Sequence, residues 1–131
     1  MKYVRQLKPK LSDDAEVIIF YQDKLLINNK NQRFIHPCAE FNLFFDINDL
    51  IAIAVKDNKT ICTVDIAENL FLDLDDYDFL DLRMILGSLD QESFSLIGRS
   101  KMINYWLLNS KYCGACGKKT NFISSEEAFQ C

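Results

Sequence analysis

The sequence predicts an α+β domain: an antiparallel sheet of about five strands, then two helices, with a small cysteine-bearing module behind them. Three observations carry that reading. Short β-branched and aromatic runs separated by polar turns fill the first half of the chain. Apolar residues recur at helical spacing between residues 94 and 106. Three of the five cysteines and two of the four glycines fall beyond residue 111. At 131 residues and 15.2 kDa the chain holds one domain and a small appendage. We divide it at residues 1–108 and 109–131.

Residues 1–14 mix Lys2, Arg5, Lys8 and Lys10 with Asp13 and Asp14 and read as an exposed leader. Ala15 to Tyr21 is a β-branched apolar run, hence a strand. Gln22-Asp23 forms a turn, and Lys24 to Ile27 a second strand. Asn28 to Arg33 is a polar loop. Phe41 to Phe45, Leu50 to Val55 and Thr60 to Ile66 are three more strand candidates, the last two joined by a turn at Asp57-Asn58-Lys59. The stretch from Glu68 to Asp81 is densely acidic. Asp76 or Asp78 is the expected cap of a helix running to about Leu86, which Gly87 stops. A second helix opens near Ser93 and runs to about Asn109. Its Phe94, Ile97, Met102, Tyr105 and Trp106 are the expected core stripe.

Composition narrows the function classes. Apolar residues make up 49% and charged ones 26%, an ordinary globular balance. The net charge of −4 and pI near 4.9 give no general nucleic-acid footprint. Four glycines leave little material for phosphate-cradling loops. No apolar stretch is long enough to span a membrane, and no apolar run follows the first residues. With Cys38, Cys62, Cys113, Cys116 and Cys131, the cysteine count is odd. We therefore expect a cytoplasmic chain with reduced thiols and no membrane partner.

Cys113-Gly114-Ala115-Cys116-Gly117 carries the clearest chemistry. Two thiolates in C-x-x-C close on one tetrahedral zinc, and the span to Cys131 is that of a zinc-ribbon hairpin. A ribbon needs four ligands, and three are present. Three readings stay open. The chain is cut inside a ribbon; or a fourth ligand comes from His36, Cys38, Cys62, the terminal carboxylate or another chain; or the motif is redox-active. The redox reading is the weakest, because this motif follows a helix where a thioredoxin-like one opens a helix.

Several segments, taken in order, carry a resemblance. They are Leu82-Arg83-Met84-Ile85-Leu86-Gly87-Ser88-Leu89-Asp90, then Phe94-Ser95-Leu96-Ile97-Gly98-Arg99-Ser100, then Tyr105-Trp106, then Tyr112-Cys113-Gly114-Ala115-Cys116-Gly117. This order resembles the NADH pyrophosphatases of the Nudix superfamily. The match is closest over residues 80–131, and residues 1–79 fit as the variable N-terminal domain. The resemblance implies an N-terminal domain, a zinc ribbon and a C-terminal Nudix domain in one chain. It implies hydrolysis of the pyrophosphate of NAD(H) to nicotinamide mononucleotide and AMP, with magnesium or manganese in the Nudix domain. Some members remove NAD caps from RNA, and members tend to be homodimers. By resemblance, structural zinc falls on Cys113, Cys116 and Cys131, and substrate contacts fall on Arg83, Glu126 and Lys30.

The departures from the family matter. Asn109-Ser110-Lys111 stands where the family often has His, and Glu127 where it has Trp. The Nudix box, G-x5-E-x7-R-E-U-x-E-E-x-G-U with U a bulky aliphatic, is absent from these residues. Its glutamates would hold the catalytic metal. The expectation is a fragment with no catalytic residues of its own, inactive alone. The alternative is a non-enzymatic zinc-ribbon module that docks a protein or RNA.

Other constellations carry less. An EF-hand starting at Asp73 would need Gly at position 78 and Glu at position 84, where Asp78 and Met84 stand. His36-Pro37-Cys38 lacks the second cysteine of a deaminase signature. Arg99 is expected to form an ion pair with the acidic segment at 73–81. Lys111, Lys118 and Lys119 make a small basic patch offset by Glu126 and Glu127.

Overall fold

The structure, a computed structural model, describes residues 1–41, 43–67, 75–110, 121–123 and 128–130, with side chains through residue 107. Four strands form where the β-branched runs lie: β2 (Glu16–Tyr21), β3 (Lys24–Asn28), β5 (Ile51–Lys56) and β6 (Lys59–Ile66). β1 (Lys2–Leu7), β4 (His36–Pro37) and β7 (Tyr77–Asp81) complete a sheet of order β1-β5-β6-β2-β3-β7, with β4 also on β2. The β5–β6 turn contains no glycine. Asp57 and Asn58 both take left-handed backbone (φ 52° and 63°), the geometry of the tight hairpin turn that short Asx side chains tolerate.

The fold is α+β, and its sheet is mixed. β2 and β6 run parallel from Glu16↔Ile61 to Tyr21↔Ile66, while the other pairs are antiparallel. The run from Val17 to Phe20 is wholly buried because both faces of this central strand are covered. Ile18 and Phe20 point to one face, where Leu96, Ile97 and Ile103 of α3 (Gln91–Ser110) pack. Val17 and Ile19 point to the other, beneath Phe41, Phe44 and Phe45. Asp90 caps α3 by accepting the Ser93 N–H at 2.7 Å.

Four expectations are corrected. Lys2–Leu7 is no free leader; it forms β1 on β5, and its charges face outward because it is an edge strand. Phe41 to Phe45 is not a strand. Phe41 ends the short helix α1 (Cys38–Phe41), and Phe41, Phe44 and Phe45 lid one sheet face. The predicted helix from Asp76 is strand up to Asp81. Tyr77 and Phe79 face one core cluster and Leu80 the other, which is a period of two. Only α2 (Leu82–Ile85) and a 3-10 turn, Leu86–Ser88, are helical there, with Asp81 as the cap. On α3, Phe94, Met102 and Tyr105 are exposed. The buried face is Leu96, Ile97, Ser100, Ile103 and Asn104, anchored by Asn104 Nδ2 donating to Thr63 Oγ1 at 2.9 Å.

Arg99 also departs from expectation. Register shifts interrupt β1 between Tyr3 and Gln6, and β5 against β6 between Ala52 and Ala54. Such bulges leave backbone groups outside the ladder. Arg99 donates from Nε to the Ile53 carbonyl at 3.1 Å and from Nη2 to the Val4 carbonyl at 2.6 Å. It ties together the two irregular strands where an ion pair with the acidic segment was expected.

β8 (Asn121–Ile123) and β9 (Ala128–Gln130) pair as an antiparallel hairpin. Cys113, Cys116, Glu126 and Cys131 lie outside the described residues.

Candidate functional site

The β2–β3 turn and the start of α2 meet at one end of the β3–β7 ladder. The register places Lys24 opposite Asp81 there. The Leu82 N–H donates to the Asp23 carbonyl at 3.3 Å and ties the two connections together. Asp23, Asp81, Leu82 and Arg83 line a shallow cleft of about 450 Å³. Lys101 reaches in from α3, 2.8 Å from Asp23 Oδ1, and donates to the Gln22 carbonyl at 3.2 Å.

Asp81 has two tasks. Its Oδ1 accepts the Arg83 backbone N–H at 2.9 Å, which starts α2. It also receives the Arg83 guanidinium side-on, Nε on Oδ1 at 3.3 Å and Nη2 on Oδ2 at 3.2 Å. The hydrogen bonds from the Arg83 side chain and then its backbone hold Asp81 below the usual carboxylate range. The Lys101 hydrogen bond does the same for Asp23. Arg83 stays 89% exposed, so its fork is open to a second acceptor. Three cations, Lys24, Arg83 and Lys101, thus surround two carboxylates. Such a rim suits phosphate oxygens, which a guanidinium receives in bidentate fashion.

Lys30 lies elsewhere. It follows β3 at the Asn28↔Tyr77 end of the ladder and pairs with Asp76 at 3.2 Å. The two ends of that five-residue ladder are about 13 Å apart. The structure therefore does not bring Lys30 to Arg83; the lysine at that end of the ladder is Lys24, opposite Asp81. Sequence reasoning missed Lys24 because it opens a strand. Counting the hairpin back from a two-residue turn at Gln22-Asp23 would have placed it at the end of the ladder.

The remaining candidates are structural. Asp78 Oδ2 accepts Asn29 Nδ2 at 2.8 Å. His36 is 2% exposed, its Nε2 lies 2.9 Å from the Leu26 carbonyl, and Phe41 and Tyr77 meet its ring edge-on. Burial pushes its pKa down. Burial also pushes the Cys38 thiol up to about 11 and the Cys62 thiol up to about 12, so both stay protonated at neutral pH. Among the described residues no three His, Cys, Asp or Glu side chains come close enough to hold a metal ion. No helix among them is long and apolar enough to cross a membrane.

Comparison with known proteins bears on this geometry. A family model described as an NADH pyrophosphatase-like rudimentary NUDIX domain matches residues 14–106, a span that contains β2 through β7, Arg83 and most of α3. The NAD-capped RNA hydrolases NudC of Haemophilus influenzae strains PittEE and 86-028NP are each 39% identical over 57 residues, 44% of this chain and 21% of the relative. That of strain PittGG is 37% identical over 57 residues. The matched stretch spans about a fifth of the length of these relatives. With the family model covering most of the chain and the sheet and helices it implies in place, this chain belongs to the NUDIX-like family, as an NADH pyrophosphatase-like rudimentary NUDIX domain.

Proposed function

We propose that this chain is the N-terminal region of a zinc-containing NADH pyrophosphatase that hydrolyses NAD(H) to nicotinamide mononucleotide and AMP. The family match over residues 14–106 carries the reading. The relatives named NAD-capped RNA hydrolase extend it to NAD-capped RNA as a second substrate. The reaction adds water across the P–O–P bridge and leaves one phosphate on each mononucleotide. In this reading a C-terminal Nudix domain of the same protein holds magnesium or manganese and performs that step, and two copies associate as a homodimer. The described residues do not fit such a cation site, and no step runs through them.

The contribution of these residues is binding. Arg83 turns its exposed fork toward substrate phosphate, with Lys24 at the same end of the ladder, and Asp81 keeps the fork oriented. Lys30 meets substrate only at the far end of the ladder, and Glu126 is a further contact. Cys113, Cys116 and Cys131 are soft thiolate donors suited to structural zinc. Chromatographic assay of NADH hydrolysis tests the reading. The full-length protein with a divalent cation should release nicotinamide mononucleotide and AMP, and residues 1–131 alone should release neither. Turnover by residues 1–131 alone would place a catalytic centre among them and overturn the assignment.

A further inference from the structure

The pyrophosphatase reading gives Asp23 no task, yet the fold fixes it in the Arg83 cleft. Its backbone carbonyl accepts the Leu82 N–H at 3.3 Å, which sets it across from the residue before Arg83. Gln22 takes left-handed backbone at φ 54°, and the β2–β3 register leaves only Gln22 and Asp23 in the turn. Lys101 grips that turn from α3, through the Gln22 carbonyl at 3.2 Å and Asp23 Oδ1 at 2.8 Å, with its Nζ 5.5 Å from the Phe20 ring centre. The Asp23 side chain is nonetheless 88% exposed. The Lys101 hydrogen bond holds its pKa below the usual carboxylate range, so it is ionised at neutral pH. Asp81, the other carboxylate in the cleft lining, is occupied by the Arg83 backbone and guanidinium. Asp23 is thus the lining carboxylate that is open to a ligand.

We propose that Asp23 selects the unphosphorylated dinucleotide, an inference that rests on the NAD(H) reading. With a substrate phosphate on Arg83, the Asp23 carboxylate accepts hydrogen bonds from the adenosine ribose hydroxyls and turns away a 2′-phosphate. A carboxylate accepts from a hydroxyl and has no donor to offer a phosphate. In dinucleotide sites an acid near the bound phosphates reads the ribose 2′-hydroxyl in this way. A 2′-phosphate would bring about two negative charges up to a third. Of the cations at this rim, Lys101 is engaged by Asp23 and the Gln22 carbonyl, and the register sets Lys24 opposite Asp81.

The test compares kcat/KM of the full-length protein for NADH and for its 2′-phosphorylated counterpart NADPH, with a divalent cation present. The parent should prefer NADH. Asp23→Asn keeps the size of the side chain and removes its charge, and should move the ratio of the two values toward NADPH by about tenfold. That substitution also releases Lys101, whose freed charge would favour NADPH by itself. The same shift should therefore appear when Asp23→Asn is made on a Lys101→Met background. A loosened fold would slow both substrates alike and leave the ratio where it was. An unchanged ratio in Asp23→Asn, a shift that vanishes on the Lys101→Met background, or a parent without preference for NADH overturns the inference and leaves the pyrophosphatase reading standing. A full-length protein that hydrolyses neither dinucleotide overturns both.

Discussion

Arg99 and Arg83 stand at opposite edges of one sheet and do different work. At the β1 edge, strand register is broken twice, and Arg99 spends its donors on the carbonyls of Val4 and Ile53. At the β7 edge, the ladder runs unbroken from Lys24↔Asp81 to Asn28↔Tyr77, and the backbone asks nothing of Arg83. Arg83 pairs instead with one carboxylate and remains open to solvent. An arginine that completes a backbone is committed to the fold. One oriented by a single half-buried carboxylate keeps the rest of its fork open to a phosphate.

The largest stability effect belongs to the committed arginine. Arg99→Ala removes two charge-assisted bonds and leaves two bulge carbonyls without a partner, a loss of about 3 kcal/mol by urea denaturation. Arg99→Lys, a single point donor, should recover only part of it. A loss below about 0.5 kcal/mol would erase the contrast between the edges.

Gly98 comes next. It sits inside α3 facing open space, so Gly98→Ala should stabilise by about 1 kcal/mol. Destabilisation would mean that a neighbouring side chain comes closer to Gly98 than 4 Å.

His36 gives a smaller, pH-gated effect. Its folded pKa lies below the ordinary 6.5, so the unfolded chain binds the proton more readily. Stability should hold above pH 6.5 and fall as pH drops below it. The lowered carboxylates Asp23, Asp81 and Asp90 act only further down, below about pH 4. Melting midpoints between pH 7.5 and 5 check this, with His36→Gln expected to flatten that window. An unchanged slope would remove His36 from the account.

Much of the fold was legible in the sequence. The strands at 16–21, 24–28, 51–56 and 59–66 are β-branched runs between turns, and pattern alone finds them. The parallel β2–β6 pairing was not legible, because a strand covered on both faces loses its alternation and its partner lies 45 residues away. Tyr77–Asp81 was hidden by its acids, which look like helix caps until Asp81 is seen to be the one that caps. On α3 the expected stripe held Ile97, which is buried, but also Phe94, Met102 and Tyr105, which are exposed; Leu96, Ser100 and Ile103 complete the face that fits against the sheet. Of the candidate site, Arg83 was named by resemblance. Its neighbours, the consecutive Asp23 and Lys24 at the β2–β3 turn and Lys101 on α3, lie far from it in sequence and reach it only through the fold.

The account rests on Arg83 being free for substrate while Arg99 is not. The most direct test is Arg83→Ala in the full-length protein, with kcat/KM for NADH measured beside the melting temperature. The account predicts a fall of tenfold or more in kcat/KM, with melting unchanged. An unchanged kcat/KM, or a lowered melting temperature that accounts for the loss of activity, would contradict it.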